Sequence, residues 1–461
     1  MMAKQLQRGI PVKVAEVAGI DAKGALVSVG VPFPPGLLTD ARTLGVFDKD
    51  VPVASQRQVV SRHGDGSVRA CLVRFRADLG PNGHRQFLLR PAPGGGNASA
   101  SIPWEYWDDI VASLPPRWYC ASGVFGPLLP ADESTVSPDL EERMVKMSRR
   151  FTGGRRELLH NGYYDHAHAQ YVVFLRTGSP QAYLDARRWA LYHQREHRRW
   201  LRRHRGGAGI SWHRLRRMYV EGLVEDYLIS GDPNSYKVAE ALADAYRQSL
   251  AANRRDFRVN ERNPSFPIIG LTCFHELTGR KEYLQAAGQI VELVCAWRDR
   301  RRGGWIRVYE DKREWNDPRC KGGSPFMTTL LMEGLIRYHR LTGDEKVRQA
   351  ILGGTDWLVK ECWWPSIGRP DSPTFTYIQC PPPGRSETYD LNMMFLEMLG
   401  YSWYLTGQRK YLDVATRALA GGLRSFGAHA KAYNQAMRGC ARGLYWMQQR
   451  PRGPDTGRKG Q

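Results

Sequence analysis

Five stretches of this 461-residue chain gather side chains able to move protons or hold anions. They are His160-Asn161-Gly162-Tyr163-Tyr164-Asp165-His166-Ala167-His168, Trp212-His213-Arg214-Leu215-Arg216-Arg217-Met218-Tyr219, Glu261-Arg262-Asn263-Pro264-Ser265-Phe266, Cys320-Lys321-Gly322-Gly323-Ser324-Pro325-Phe326 and Gly384-Arg385-Ser386-Glu387-Thr388-Tyr389-Asp390. β-Elimination on an acidic sugar polymer needs such a set. The proton beside a uronate carboxylate becomes removable once Asn, His or Arg neutralises that carboxylate and stabilises the enolate. A tyrosine or histidine takes the proton, and an acid, often the same tyrosine, protonates the leaving oxygen. Tyr219 or Tyr164 fits the base/acid role, with His213, His160 and Asn161 around the carboxylate and Arg214 as anchor. Lys321, Trp315, Glu387 and Tyr389 are further substrate contacts by position.

Each of these residues also has a plainer reading. Tyr219 can be a core tyrosine, and His213 and Asn161 can cap helices. His213 and Tyr219 stand six residues apart, nearly two helical turns, so they meet only if His213 folds back from a loop. His166 and His168, two apart on a helix, point about 200° apart and cannot chelate one metal together. Tyr164 and His168 do share a face. No metal or other cofactor is called for, although Asp165 with a backbone carbonyl is a candidate calcium ligand.

A glycoside hydrolase is the rival chemistry, since it needs two carboxyl groups across a glycosidic bond. Glu387, Asp390, Glu221, Glu261 and Asp317 are its candidates, each equally explicable as an arginine partner. Aromatic residues that can stack on sugar rings crowd the same connections: Trp305, Tyr309, Trp315, Trp363, Trp364 and Tyr377. Trp357 and Trp403 fall in helical patterns and read as core.

Charge bears on the partner. Lys+Arg is 67 against 46 Asp+Glu, a net +21, and only 14 of the 67 are lysine. An arginine excess of this kind is equally explained by a GC-rich genome or by attraction for an anion. The excess is uneven, for Arg187–Arg217 holds eleven arginines and a single acid, Glu196. No helix-turn-helix, zinc-finger or RNP-type motif accompanies it, so an acidic polysaccharide or oligosaccharide is favoured over a specific nucleic acid. A non-catalytic polyanion-binding protein using that stretch is the third reading. The oligomeric state is left open.

Composition sets outer limits. Apolar residues at 42% and charged residues at 25% are globular proportions. No apolar run reaches the roughly 20 residues needed to span a bilayer, so no membrane partner is expected. The start, Met1-Met2-Ala3-Lys4-Gln5-Leu6-Gln7-Arg8, lacks a signal-peptide apolar segment, and a cytoplasmic chain, or one that has lost its leader, is expected. The eight cysteines show neither CxxC nor zinc-finger spacing and read as buried thiols, with a Cys362–Cys380 bridge left open.

The elements that must position these residues fall into two kinds. Residues 1–92 read as a small β-barrel or sandwich, with strand-like runs at Val12–Val17, Ala25–Val31, Gln58–Val60, Val68–Phe75 and Gln86–Leu89. Residues 93–150 are a Pro/Gly-rich linker and a bridging segment, 151–447 read as helices, and 448–461 as a polar tail. Within the helices a unit recurs: Leu175-Arg176-Thr177-Gly178, Leu228-Ile229-Ser230-Gly231, Leu277-Thr278-Gly279, Leu341-Thr342-Gly343 and Leu405-Thr406-Gly407. Each reads as a helix, a glycine C-cap, a turn and a second helix. A helical hairpin cannot bury its apolar face alone, so the units must stack. Five units and a degenerate sixth predict an (α/α)6-type toroid, with an open solenoid as the alternative. In a toroid the Gly turns lie on one face, and the long connections and inner-helix N-termini lie on the other. Free N–H groups and the positive dipole end suit that second face to anions.

The segments Gly9-Ile10-Pro11-Val12 and Val29-Gly30-Val31-Pro32-Phe33-Pro34-Pro35-Gly36 resemble the RIFT-barrel domain of exo-rhamnogalacturonan-lyase-like proteins, and His160–His168 adds to the likeness. The resemblance implies a RIFT-like barrel followed by an (α/α) toroid, and a lyase for a uronate-containing polymer. Members of that family tend to carry a further C-terminal β domain, and no match for one follows Trp446 here.

Overall fold

The computed structural model describes residues 1–92, 102, 109–150, 162–203, 210–309, 317–364, 373–379, 388–427 and 429–452. After a short helix α1 (Met2–Arg8), the N-terminal part is built from antiparallel strands. These are β1 (Ile10–Glu16), β2 (Ala22–Pro32), β3 (Leu44–Asp48), β4 (Val51–Val53), β5 (Ser55–Arg62), β6 (Val68–Leu79), β7 (His84–Pro91) and β8 (Ile110–Ser113). Two sheets result, in the orders β4-β3-β7-β1-β8 and β2-β6-β5. Alternation in β1 sends Val12 and Val14 inward, where they meet Val27, Val29, Phe75 and Phe87 in one core. β8, from the Trp/Pro-rich bridging segment, adds a strand beside β1 and pairs Val14 with Ala112.

Helices α2 (Pro116–Ala121) and α3 (Pro138–Arg150) lead to five hairpins. Their first helices are α4 (His166–Thr177), α6 (Glu221–Ser230), α8 (Arg262–Thr278), α10 (Pro325–Thr342) and α12 (Leu396–Thr406). Their second helices are α5 (Pro180–Arg203), α7 (Pro233–Gln248), α9 (Lys281–Trp297), α11 (Glu345–Trp357) and α13 (Arg409–Leu423). Gly178, Gly231, Gly279, Gly343 and Gly407 end the first helices with φ of 66–80°, a left-handed cap that a side chain would strain. The repeated Gly turn is therefore a set of real helix ends.

The two helices of each hairpin differ in kind. The first helices are buried nearly all round; α8 hides Arg262 to Phe274 without a break. The second helices bury one stripe, as in α7 with Val238, Ala239, Leu242, Ala243 and Tyr246. A final helix, α14 (Ala430–Gln448), is buried like a first helix. Packing runs from α4 to α6, α8, α10, α12 and α14, and from α14 back to α4. Among the described residues no outer helix follows α14. Instead α3 lies behind it, with Cys440 Sγ 3.7 Å from Met144 Sδ and the Tyr433 hydroxyl donating to the Met144 carbonyl at 3.4 Å.

The β part docks on the C-terminal ends of α6 and α8. Ser28 Oγ donates to the Ser230 carbonyl at 2.9 Å, and Arg69 Nη1 donates to the Glu276 carbonyl at 2.9 Å. Gly30 in β2 abuts the Leu228 carbonyl so closely that any Cβ would overlap it. The Val31–Gly36 element helps anchor the connection, for Phe33 packs edge-on against Trp118, whose indole donates to the Pro32 carbonyl at 2.8 Å. Of the cysteines, Cys362 is a buried free thiol, while Cys380 lies outside the described residues. No helix among the described residues is long and apolar enough to cross a membrane.

Candidate functional site

The β part seats on the Gly-turn ends of α6 and α8, and the inner-helix N-termini occupy the other end. Several of them contribute to one cluster. Tyr163 and Tyr164 lead into α4, Arg216 and Arg217 precede α6, and Arg262 opens α8. Phe326 lies in the first turn of α10, Asp390 in the 3-10 turn Tyr389–Phe395 before α12, and Lys431 in the first turn of α14.

The tyrosine pair is held firmly. Tyr164 and Asp165 are consecutive non-glycine residues at positive φ, 70° and 64°. Such a backbone costs of order 1–3 kcal/mol per residue and persists only where its surroundings fix it. Here the Asp165 carboxylate caps α4 from His168 N–H at 3.3 Å and accepts Gly222 N–H at 3.0 Å. The Tyr164 N–H donates to the Tyr219 hydroxyl at 2.9 Å, and Asn434 Nδ2 donates to the Tyr163 carbonyl at 2.9 Å. A Cβ on Gly222 would stand 2.5 Å from Asp165 Oδ1, so glycine is required there.

Arg262 completes the cluster. Its Nη1 donates to the Tyr163 hydroxyl at 3.3 Å and the Tyr164 hydroxyl at 3.2 Å, and its guanidinium lies over Phe326. Phe326 stacks on Tyr377 with centroids 4.7 Å apart. Arg217 lies over the Tyr163 ring at 5.2 Å. Glu261 is buried below, accepting Ser324 N–H at 3.3 Å, with Arg307 Nε 3.8 Å away. Tyr163 is half-buried and Tyr164 fully buried. The cluster thus joins cations, phenol hydroxyls and aromatic faces, a combination suited to an anionic ring-bearing ligand.

Deeper along the axis the inner helices hold a buried ion network. Glu221 accepts Arg337 Nη1, Arg442 Nη2 and Arg438 Nη2, each at 2.7 Å. Glu333 accepts Arg438 and Arg442 at 2.5 and 2.6 Å. His168 Nδ1 meets Glu225 at 2.9 Å. Burial works against the Glu221 anion, yet His168 and the three guanidiniums hold its carboxyl well below the usual range. Burial and the charge of Glu221 push Glu225 well above it. Burial also raises Glu397 to about 8.

His168, Glu221 and Glu225 form the one metal-like donor set among the described residues. Both Glu221 oxygens already accept guanidinium hydrogens, and three arginines would repel a cation, so the set is an ion-pair core. Burial likewise lowers His166 to about 4 and His193 to about 3, keeping both imidazoles neutral.

The structure separates the residues expected from sequence. Tyr164 lies in the cluster. Tyr219 sits beneath it, only 4% exposed, its hydroxyl accepting a backbone N–H and facing the Arg216 carbonyl at 3.5 Å. Burial drives its phenol well above the ordinary value, so it is a poor base where it stands. Arg214 turns outward, its guanidinium over Trp200 of α5. Lys321 is exposed on a short strand paired with 307–309, opposite Val308. Tyr389 is half-buried at the start of its 3-10 turn. His213 lies in the single helical turn Trp212–Leu215, and its side chain is outside the description. His160, Asn161, Trp315 and Glu387 lie outside the described residues. Trp305, expected among the sugar-facing aromatics, is fully buried and donates to the Val294 carbonyl at 2.9 Å. Sequence reasoning assigned no role to Tyr163, Arg216, Arg262 or Lys431; the first three fall inside segments it singled out.

No family model and no curated protein matches the chain. A polysaccharide lyase of known structure is similar at 12% identity, over 77% of this chain and 59% of its own length, with a TM-score of 0.25. A likeness at that level carries no argument about the site.

Proposed function

We propose that this chain is a carbon–oxygen lyase that cleaves a uronate-containing polysaccharide or oligosaccharide by β-elimination. In this reading the closed packing cycle is an (α/α)6 toroid, the β part a RIFT-like barrel, and the chain akin to the exo-rhamnogalacturonan-lyase-like family. The domain limits 1–92, 93–150, 151–447 and 448–461 belong to the same proposal. One observation carries it: Arg216, Arg217, Arg262 and Lys431 gather round the half-buried Tyr163 at the inner-helix N-termini.

The chemistry follows from that cluster. Arg262 and Arg216 neutralise the uronate carboxylate, which makes the adjacent proton removable and stabilises the enolate. Tyr163, its hydroxyl within reach of Arg262, protonates the leaving oxygen. Tyr377, half-buried and backed by the buried Phe326 ring, offers an aromatic face for a sugar ring. His160 and Asn161, which immediately precede Gly162 and Tyr163 in sequence, complete the proposed carboxylate contacts.

The test is growth of enoyl ultraviolet absorbance when the protein meets pectic, alginate and glycosaminoglycan polymers. Absorbance with one class, lost in Arg262→Ala, is the expected result. Reducing sugar released without an unsaturated product would replace this reading with hydrolysis.

A further inference from the structure

α14 presents one face to the axis of the helical array. Arg442 and Arg438 on that face bind Glu221 and Glu333, and Asn434 binds the Tyr163 carbonyl and His166 Nδ1. Counting back at 100° per residue, Lys431 lies within 20° of Arg438 and Arg442 on the helix wheel. It is therefore the outermost residue of this polar row, one turn beyond Asn434.

The surroundings of Lys431 disfavour an ammonium ion. It stands in the first turn of a helix, where the dipole is positive. It is half-buried, and among the described residues it makes no hydrogen bond or ion pair. The charges that reach it are Tyr163, Arg262, Asp390 and Arg216. Burial is the largest influence and lowers its pKa; Tyr163 and Asp390 oppose this, and Arg262 and Arg216 add to it. A lysine serving stability alone gains nothing from such a position, where two arginines already supply positive charge.

We propose that Lys431 is the proton acceptor of the elimination, its amine set opposite the Tyr163 hydroxyl across the bound uronate. This deepens the function proposed above and rests on it. In its deprotonated form Nζ takes the proton from C5 as the C5–H bond breaks. The released electron pair becomes the C4=C5 double bond, and the C4–O4 bond breaks. Tyr163 gives its hydroxyl proton to the departing oxygen, and the Lys431 ammonium then returns a proton to the tyrosinate. The cycle is balanced and needs no co-reactant.

The test compares wild type, Lys431→Arg and Lys431→Met on the uronate polymer that gives enoyl absorbance, with thermal melts to confirm folding. Arginine is a long basic side chain of similar reach, but it stays protonated and cannot accept the proton. Both variants should lose about 10²–10⁴-fold in kcat, the size of a general-base contribution, with KM changed only a few-fold in Lys431→Arg. Wild type should also show an acid limb in kcat set by a group below the ordinary lysine value of about 10.4. Lys431→Arg retaining kcat within a few-fold would overturn the base assignment and leave the lyase reading standing. Wild type silent on every uronate would overturn both. An independent arm reads the amine itself: sparse reductive ¹³C-methylation followed by NMR titration should place Lys431 below the other lysines, and coincidence with them would refute the lowered amine and with it the base assignment.

Discussion

The backbone N–H of Tyr164 donates to the hydroxyl of Tyr219 at 2.9 Å, joining two residues that the sequence offers as rival bases. One supports the other. The Tyr219 phenol fixes the strained Tyr164–Asp165 turn, and that turn aims Tyr163 toward Arg262. Tyr219→Phe removes the acceptor of a buried N–H while keeping the ring. It should cost about 1–3 kcal/mol of stability. Lyase turnover should fall far less than in Lys431→Met. Urea unfolding and initial rates measure both, and complete loss of turnover in a normally stable protein would restore Tyr219 as base.

Glu221 tests the axial network. Its two oxygens receive Arg337, Arg438 and Arg442 in a site 3% exposed. Glu221→Ala leaves three cations short of a partner and should cost about 3–5 kcal/mol or prevent folding. Glu221→Met combined with Arg438→Met should recover part of that loss. Chemical denaturation of the single and double variants gives the comparison, and equal stability of Glu221→Ala and wild type would mean the network contributes little.

Glu397 gives a pH signature. Burial raises its carboxyl to about 8 against the opposing pull of Arg442 and Arg340, while Glu333 and Glu221 add to the rise. The folded state therefore holds a proton that the unfolded chain releases near 4.3. Stability from this group is fully present below about pH 4.3 and declines as pH climbs to about 8. Glu397→Gln imitates the protonated form and escapes the decline. Its stability relative to wild type should improve steadily over that window and level off above it. Denaturation curves at several pH values test this, and parallel curves for the two proteins would refute the raised carboxyl.

Much of this architecture was legible in the residues, for definite reasons. The Leu-x-Gly and Leu-x-x-Gly turns stood out because a left-handed C-cap selects glycine, and all five glycines occupy that conformation. The strands around Val12, Val29 and Val73 showed through their apolar content. The sixth inner helix was harder to see. No Leu-Thr-Gly turn marks the end of α14, so neither the helix nor Lys431 in its first turn carries the signal that the other units share. The ion network was also hidden, because Glu221, Arg438 and Arg442 lie far apart in the chain and each reads singly as an ordinary salt-bridge residue. β8 escaped notice because four residues amid Trp and Pro carry too little pattern.

Gly30 ties the two halves together. Its missing side chain lets β2 lie against the Leu228 carbonyl at the end of α6. Backbone cannot yield there as a flexible side chain would. Gly30→Ala should cost about 1–3 kcal/mol and Gly30→Val more. The loss should appear as a lower melting temperature with the β strands still formed. A Gly30→Val protein with unchanged melting would show that the β part is not seated on α6.

The arginine-rich stretch separates catalysis from simple polyanion binding. Arg187 begins it yet is not a surface residue: 3% exposed, it pairs with Asp226 at 2.5 Å and approaches Asp232 at 3.4 Å. Arg187→Ala should therefore destabilise by about 3–5 kcal/mol, as removal of one partner of a buried pair does. Arg188, Arg195, Arg199 and Arg202 are exposed along one side of α5. Replacing the last three with Gln should leave stability within about 0.5 kcal/mol. It should weaken salt-sensitive heparin retention, since exposed cations act through screened, long-range attraction. If elimination proceeds in the cluster of Arg262 and Lys431, turnover should survive that triple change with at most a modest rise in KM. A protein whose only activity is salt-sensitive binding, abolished by the triple change and indifferent to Arg262→Ala, would instead be a polyanion binder with its working surface on α5.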